Sequence, residues 1–334
     1  MTHNAIRFAV VGLGLQGAGT AELAVNQGYE LVGAVDIGDK VGKPISDFLN
    51  GHGPSTPVFG SLNELLAAGP LDAVLLAAAI EPTDIVEQAK QFLSRGINVV
   101  TLHQDLLGPD DSWTPELDKV AKEGGASFVS GGAQDVFWVQ LPALVASAAS
   151  NLKRIRVTSE LSVEAISVNL AELVGYDQDA EQFAGTQGFM LHHPAVLGGA
   201  LKEVARRIGA TIVGDISKTY DSVVSDEVYH WESADRDILP GRATGVVELA
   251  SFTTDKGITF EGVFKVSAIP VAAAHDELLV EGDETIGVRL DPFPGQSVTN
   301  VSILSRVPDM IAAEPGVHFV ADLPLASYKF PLGK

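Results

Sequence analysis

Apolar runs alternate with amphipathic segments along the first 130 residues of the chain. Helical periodicity appears at residues 18–27, 83–94 and 114–123. The apolar or short extended runs between them lie at residues 6–11, 30–35, 58–59, 71–79, 97–101 and 126–130. Runs that are apolar on both faces are typical of buried parallel strands. The alternation therefore predicts a doubly wound α/β sheet of six strands with helices on both sides.

The pattern changes near residue 153, where longer segments alternate strictly between apolar and polar positions. These segments cover residues 154–159, 221–230, 245–253, 258–266 and 277–289, and helices are predicted at 195–208 and 298–313. Such alternation is typical of antiparallel strands with one solvated face. We predict a second, α+β domain built on a mixed, mostly antiparallel sheet.

These patterns divide the chain into two domains. Residues 1–135 form the predicted Rossmann-type domain, which the C-terminal segment 298–334 completes. Residues 136–297 form a domain for substrate binding and oligomerisation. Because open sheets with exposed edges are usually covered, the second domain predicts a homodimer.

Composition narrows the classes of partner. The chain has 334 residues, 46% of them hydrophobic, and a formal net charge of −21, which disfavours nucleic acid and anionic membranes. There is no cysteine, so thiolate metal sites and cysteine nucleophiles are excluded. The first residues show no basic and apolar signal segment, and no apolar run reaches the roughly 18 residues of a membrane helix. We expect a cytoplasmic protein.

Residues 12–17 read GLGLQG, which places three glycines in the G-x-G-x-x-G spacing between a predicted strand and a predicted helix. In this motif Gly12 allows the tight turn, Gly14 lets the backbone approach a pyrophosphate, and Gly17 lets helix and strand pack closely. The helix N-terminus then holds the phosphates. We predict cofactor contacts for all three glycines and for Leu15 and Gln16 between them.

An acid at the end of the next predicted strand supports a dinucleotide. Asp36 lies 19 residues after Gly17, near the offset at which a carboxylate binds the ribose hydroxyls of NAD. Lys40 and Lys43 follow, and their charges would attract the 2′-phosphate of NADP. The cofactor is therefore NAD or NADP, with NAD favoured. Cofactor contacts are also predicted for two further residues, Ala79 and Asn300.

Ligands of doubly wound sheets bind beyond the carboxyl ends of the strands. The corresponding segments are residues 79–82, 102–105 and 131–138. The third follows two glycines at the predicted domain crossover, where a substrate pocket is expected. Predicted substrate-binding residues are Gln134, Asp135, Phe137, Trp138 and His193.

Some of these residues have structural alternatives. An aromatic residue such as Trp138 at a domain junction is more often a core residue than a ligand contact, and a helix N-cap accounts for Asp135 as well as a catalytic role does. His192 and His193 are adjacent and point in different directions, with no acid at ligand spacing, so no metal site is predicted. No arginine occurs in the three segments, which favours an apolar substrate over one with a carboxylate.

Two stretches carry a family resemblance. GINVVTLHQDLLGP at residues 96–109 and NVSILSRVPDMIAAEPGVHFVADLP at residues 300–324 resemble the native amine dehydrogenases similar to 2,4-diaminopentanoate dehydrogenase. That group is related to dihydrodipicolinate reductase and homoserine dehydrogenase. The related homoserine and sugar enzymes have a lysine where this chain has Gln104. The amine dehydrogenases typically have V-V-T-x-x-E-E, and this chain departs from that pattern with Gln104 and Asp105.

The resemblance implies an NAD(P)-dependent oxidoreductase that interconverts a small amine with a ketone or aldehyde plus ammonia. It places Gln104 and Asp105 at the catalytic positions, although an amide cannot take a proton. Three explanations remain open: Asp105 or another carboxylate substitutes, the chain reduces a preformed imine, or Gln104 disables the enzyme. An imine reductase and a non-catalytic dinucleotide sensor are therefore the alternatives.

Overall fold

The computed structural model describes residues 5–78, 81–102, 108, 111–132, 134–293 and 295–329. The chain forms two compact units, which are described separately. Unit 1 comprises Met1–Val136 and Gln296–Lys334, and unit 2 comprises Phe137–Gly295.

Unit 1 is a parallel sheet with helices on both faces. Its elements are β1 (Arg7–Val11), α1 (Leu15–Asn26), β2 (Glu30–Val35), α2 (Leu62–Ala68), β3 (Ala73–Leu76), α3 (Pro82–Leu93), β4 (Asn98–Thr101), α4 (Thr114–Gly124) and β5 (Ser127–Ser130), followed late in the chain by α9 (Gln296–Ala312) and β14 (Gly316–His318). The strand order is β14-β5-β4-β3-β1-β2, and the paired strands run parallel. The predicted doubly wound α/β fold is confirmed.

One predicted strand of this sheet is wrong. Residues 58–59 form only an isolated bridge, from Phe59 to Val35, and the sixth strand is instead β14, which pairs with β5. Both segments are too short for their periodicity to distinguish a strand from a loop. Only the tertiary fold brings the end of the chain back beside β5.

Apolar residues of the central strands fill both sides of this sheet. Phe8, Val10 and Leu75 pack beneath α1 and α9, whereas Ala9, Val74 and Leu76 face α3 and α4. These alternating neighbours are almost completely buried. Burial on both faces is the reason that the parallel strands read as continuous apolar runs.

Unit 2 is built on a mixed sheet with its helices on one face. Its elements are α5 (Leu141–Ala146), β6 (Arg154–Ser162), α6 (Val168–Leu173), α7 (Ala180–His192), α8 (Val196–Arg207), β7 (Ile212–Val224), β8 (Tyr229–Trp231), β9 (Arg236–Ile238), β10 (Ala243–Thr254), β11 (Thr259–Ser267), β12 (His275–Glu281) and β13 (Thr285–Leu290). The order is β13-β12-β6-β11-β10-β7, and only β11 and β6 pair in parallel within it. The predicted second sheet is confirmed.

Two predicted strands of unit 2 each contain a turn. The segment 221–230 is divided between β7 and β8, and the segment 277–289 is a hairpin of β12 and β13. Polar turns at 225–228 and 282–284 interrupt the apolar alternation only briefly, so the pattern continued across them. Within the described residues, the structure contains no helix long and apolar enough to cross a membrane.

Candidate active site

The glycine turn between β1 and α1 has the close contacts that the motif requires. Gly12 adopts φ +98°, and its N–H donates to the carbonyl of Val35 at 2.7 Å. A Cβ added to Gly17 would lie 1.7 Å from the carbonyl oxygen of Gly12, whereas one added to Gly14 would meet nothing within 4 Å. Gly17 thus serves packing, and Gly14 leaves open space for a ligand to approach the backbone.

Helix α1 begins at Leu15, earlier than predicted, so the motif supplies its first turn. Its N-cap residue is Gly14, which has no side chain to cap the helix, and the positive end of the helix dipole lies at this turn. Leu15 is 54% exposed. The Gln16 side-chain oxygen is buried and has no hydrogen-bond partner among the described residues. Open space at Gly14, a helix N-terminus without a side-chain cap and the unpartnered side-chain oxygen of Gln16 fit a dinucleotide.

Asp36 lies at the end of β2 and faces the glycine turn. One carboxylate oxygen accepts hydrogen bonds from the Leu13 N–H at 2.7 Å and from Lys40 Nζ at 3.0 Å, and the other accepts from the Ile37 N–H at 2.6 Å. Burial opposes ionisation, but these donors outweigh it and hold the pKa of Asp36 below its usual value. Lys40 also donates to the Leu13 carbonyl at 2.7 Å. The acid is therefore a fixed negative charge beside the turn.

Asn300 on α9 packs against α1 one turn beyond the glycines. Its Oδ1 accepts from Thr20 Oγ1 at 3.0 Å, and its Nδ2 would lie 2.4 Å from a Cβ at Gly19. The side chain is buried at this helix crossing. Asn300 therefore joins α9 to the helix that follows the glycine turn. Ala79, the other predicted cofactor contact, lies outside the described residues.

Asp135 forms an ion pair that the sequence did not predict. Arg306 on α9 donates from Nε to one carboxylate oxygen and from Nη2 to the other at 2.7 Å, and both side chains are 1% exposed. Arg306 Nη1 also donates to Asp309 at 3.1 Å and to the Pro324 carbonyl at 2.8 Å. A carboxylate so fully engaged anchors unit 1, so we assign Asp135 this structural role in place of substrate binding or helix capping.

Phe137 and Trp138 lie in a π-helical segment, Gln134–Gln140, and belong to unit 2. The Trp138 ring is 5% exposed, and its Nε1 donates to Asp276 at 2.7 Å. Phe137 packs edge-on against Phe293 with ring centroids 5.5 Å apart. The Trp138 ring is thus nearly enclosed by protein, and Phe137 beside it is partly exposed. The side chain of Gln134, which begins the segment, lies outside the described part of the chain.

His193 lies at the corner between α7 and α8. Its ring contacts Phe189 with centroids 4.1 Å apart, and its carbonyl accepts from Lys218 Nζ at 2.9 Å. Lys218 pairs with the buried Glu248 at 2.8 Å, and Glu248 in turn accepts from the Val196 N–H at the start of α8. The buried pair fixes this corner. Among the residues that the structure describes, no three potential ligands gather to hold a metal ion.

Gln104 and Asp105, the predicted catalytic residues, lie outside the described residues. Sequence reasoning missed Arg306 and Asp276. Arg306 occurs within a mainly apolar helical stretch, ILSRVPDMI, which is an informative signal because buried arginines are paired. Asp276 shows no local signal, because its partner Trp138 lies far away in the sequence.

Comparison with known proteins places these features in a group of dehydrogenases. No protein-family model matches the chain. It is 22% identical to 2,4-diaminopentanoate dehydrogenase of Acetoanaerobium sticklandii, covering 96% of this chain and 94% of that protein. The structure matches the amine dehydrogenase from Mycobacterium smegmatis with a TM-score of 0.89 and 26% identity over 98% of both chains. The chain is amine dehydrogenase-like.

A more distant structure shows the same fold. Myo-inositol dehydrogenase from Corynebacterium glutamicum matches with a TM-score of 0.59 and 15% identity, covering 94% of this chain and 90% of that one. The family resemblance read from residues 96–109 and 300–324 is confirmed by the matches to 2,4-diaminopentanoate dehydrogenase and to the amine dehydrogenase. The predicted class, an NAD(P)-dependent oxidoreductase, is confirmed as well.

Proposed function

We propose that the chain is an amine dehydrogenase that interconverts a small amine with a ketone or aldehyde plus ammonia. The observation that carries this proposal is the end-to-end similarity to an amine dehydrogenase in both sequence and structure. The similarity to 2,4-diaminopentanoate dehydrogenase supports it. A cradle for a dinucleotide in unit 1 supplies the second requirement of such chemistry.

The cofactor contacts follow from the geometry of unit 1. The first turn of α1, with Gly14 and Gln16, would hold the pyrophosphate, and Asp36 would accept hydrogen bonds from the ribose. A bound nicotinamide supplies or accepts the hydride. We favour NAD over NADP, because Asp36 carries a fixed negative charge that repels a 2′-phosphate, and Lys40 is already paired with it at 3.0 Å.

The chain's own residues must orient the substrate and move protons. Gln104 can donate a hydrogen bond to an amine or carbonyl but cannot take a proton, whereas the Asp105 carboxylate can take a proton and, once protonated, can donate one. We propose that Asp105 performs the proton transfers while Gln104 positions the nitrogen. Phe137, Trp138 and His193, together with Gln134, are the proposed substrate contacts, and their largely apolar character suits a small apolar amine.

An amide at position 104 is also compatible with two functions other than amine dehydrogenation. A preformed imine needs no general base for ammonia addition, so an imine reductase would tolerate an amide here. A non-catalytic sensor would keep the cofactor cradle and need neither residue. Neither alternative predicts ammonia-dependent turnover, and they differ in whether a preformed imine is reduced.

The test measures NADH and NADPH oxidation with a panel of small ketones and aldehydes, with and without excess ammonia. The unaltered chain is compared with Gln104→Glu, Asp105→Asn and, as a control that removes hydrogen bonding, Gln104→Leu. Ammonia-dependent oxidation that Asp105→Asn abolishes would support the proposal. Turnover by Gln104→Glu alone would mean that Gln104 disables the chemistry, and oxidation of cyclic imines without ammonia would establish the reductase. Cofactor binding without turnover of any substrate would support the non-catalytic sensor.

We also propose that the protein is a homodimer of the cytoplasm that pairs through unit 2. Helix α8 covers one face of its sheet: a Cβ at Gly262 of β11 would meet Leu197 at 2.6 Å and Leu201 at 3.1 Å. The opposite face presents Val223 and Leu249, which are 46% and 38% exposed. Pairing this face with a second copy would remove the apolar side chains from water.

A further inference from the structure

Asp276 is a buried acid that the proposed chemistry does not use. It lies on β12, is 4% exposed, and accepts one hydrogen bond from the Trp138 indole. Its other carboxylate oxygen is buried, and its neighbour in register on β6 is Ser159, whose hydroxyl acts on the carboxylate as a hydrogen-bond donor. An acid is an expensive choice for a buried site that an amide would fill, which points to a specific task.

The partner of Asp276 belongs to the segment that carries two proposed substrate contacts. Trp138 follows Phe137 directly in Gln134–Gln140, and π-helical turns of this kind are rare and occur frequently at functional sites. The Trp138 ring packs edge-on against Phe264 at 6.2 Å. Ring packing alone tolerates sliding and rotation, whereas the indole to carboxylate hydrogen bond fixes one orientation of the ring.

The side chains beside Asp276 are not fully packed. A cavity of about 10 Å³ lies next to the acid and is lined by side chains that include Phe137, Leu141, Val157 and Val288. Phe137 therefore lacks full packing on the side of this cavity, so the indole hydrogen bond of the adjacent Trp138 supplies an orienting contact that packing alone does not provide.

We propose that Asp276 is a positioning residue, which sets the orientation of Trp138 and Phe137 through its hydrogen bond with the indole. The inference rests on the proposed function, since it takes these two rings as substrate contacts. Asp276 itself touches neither substrate nor cofactor in this role. Its effect passes through the ring that it holds.

The experiment compares Asp276→Asn, Asp276→Leu, Trp138→Phe and the double variant Asp276→Leu/Trp138→Phe. Asparagine keeps an acceptor for the indole, so its kcat/KM should stay within about threefold of the unaltered chain. Leucine and Trp138→Phe should each lower kcat/KM for the carbonyl substrate by about tenfold or more, and the double variant should be no worse than either, because both remove the same hydrogen bond. NADH affinity should stay unchanged in all four.

A matched control separates positioning from general destabilisation. Tyr220→Phe removes another buried hydrogen bond of unit 2, from the Tyr220 hydroxyl to the Val174 carbonyl at 2.6 Å, and should leave kcat/KM within about threefold. Its Tm serves as the reference for lost stability. Should Asp276→Leu not fold, the hydrogen exchange of Trp138→Phe carries the comparison, because the kcat/KM of that variant also includes the change in its substrate contact.

Hydrogen exchange of the amides in Gln134–Gln140 tests the inference without any turnover. Asp276→Leu or Trp138→Phe should speed this exchange by about tenfold, and Tyr220→Phe should not. A chain without amine activity that still shows this exchange pattern would refute the proposed function and keep the hydrogen bond's role. Unchanged exchange in a folded Asp276→Leu, or equal losses for asparagine and leucine, would refute the positioning role.

Discussion

The pKa of each buried or half-buried acid in this protein depends on the groups that it contacts. Asp36 is held ionised by backbone N–H groups and Lys40, Asp135 is held by Arg306, and Asp276 has an indole and the Ser159 hydroxyl as neutral donors. The same residue type therefore has opposite pKa directions, lowered at Asp36 and raised at Asp276. Burial dominates where no cation or group of N–H donors offsets it.

Removing the charge of Lys40 should strengthen the preference for NADH over NADPH. Lys40→Met leaves Asp36 as an uncompensated negative charge beside the ribose site, so kcat/KM with NADPH should fall by about tenfold while that with NADH changes by about threefold or less. Lys43→Met is the matched control, because Lys43 is exposed and its nearest acid, Asp39, is 3.6 Å away. Equal losses with both cofactors would contradict a role for Lys40 in discrimination.

Asp276 should make the stability of the fold depend on pH. Burial raises its pKa from 3.8 to about 6, against the opposing effects of Ser159, Trp138 and His275. The folded state therefore holds this proton more tightly than the unfolded state, and the stability that it contributes is present below pH 4 and is lost as pH rises to about 6. Asp276→Asn removes this loss.

Urea unfolding at several pH values measures the effect. Asp276→Asn should be about 1–3 kcal/mol more stable than the unaltered chain at pH 7.5, since one pKa unit corresponds to about 1.4 kcal/mol, and about equally stable near pH 4. A constant difference between the two proteins across this range would show that Asp276 does not titrate there.

At the scale of elements, the contact between β1 and α1 depends on one missing side chain. Gly17→Ala would place a Cβ against the Gly12 carbonyl at 1.7 Å, so α1 must move. We expect a loss of about 1–3 kcal/mol in the free energy of unfolding, together with weaker NADH binding. Gly14→Ala is the contrast, because its Cβ meets nothing within 4 Å: stability should hold while NADH binding weakens. Denaturant unfolding and fluorescence titration with NADH distinguish the two.

At the scale of the whole molecule, the proposed dimer depends on the open face of the unit 2 sheet. Leu249→Lys and Val223→Asp should shift the protein from dimer to monomer, because each adds a charge to a face that would be dry in the dimer. Light scattering during gel filtration measures the mass. Leu144→Lys on α5, where Leu144 is 55% exposed, should keep the dimer. A monomer before any substitution would contradict the proposed dimer, and dimers that survive both substitutions would place the interface elsewhere.

The sequence by itself determined the local features of this protein. The glycine spacing, the acid at the end of β2 and the apolar runs of the parallel strands are set by residues close together in the chain, so the dinucleotide-binding fold and its cradle were readable. The resemblance at residues 96–109 and 300–324 indicated the dehydrogenase class. Each of these signals is local, because turns, caps and periodicity act over a few residues.

Only the tertiary structure decided the pairings between distant residues. β14 replaces residues 58–59 as the sixth strand, Asp135 meets Arg306 from α9, and Trp138 meets Asp276 from β12. The pattern of apolar and polar residues does not predict such pairs. An ion pair or hydrogen bond between distant residues depends on where two elements meet in the fold and not on the sequence around each residue. The sequence could therefore identify Asp135 and Trp138 as candidate site residues, and the fold showed which residue each of them contacts.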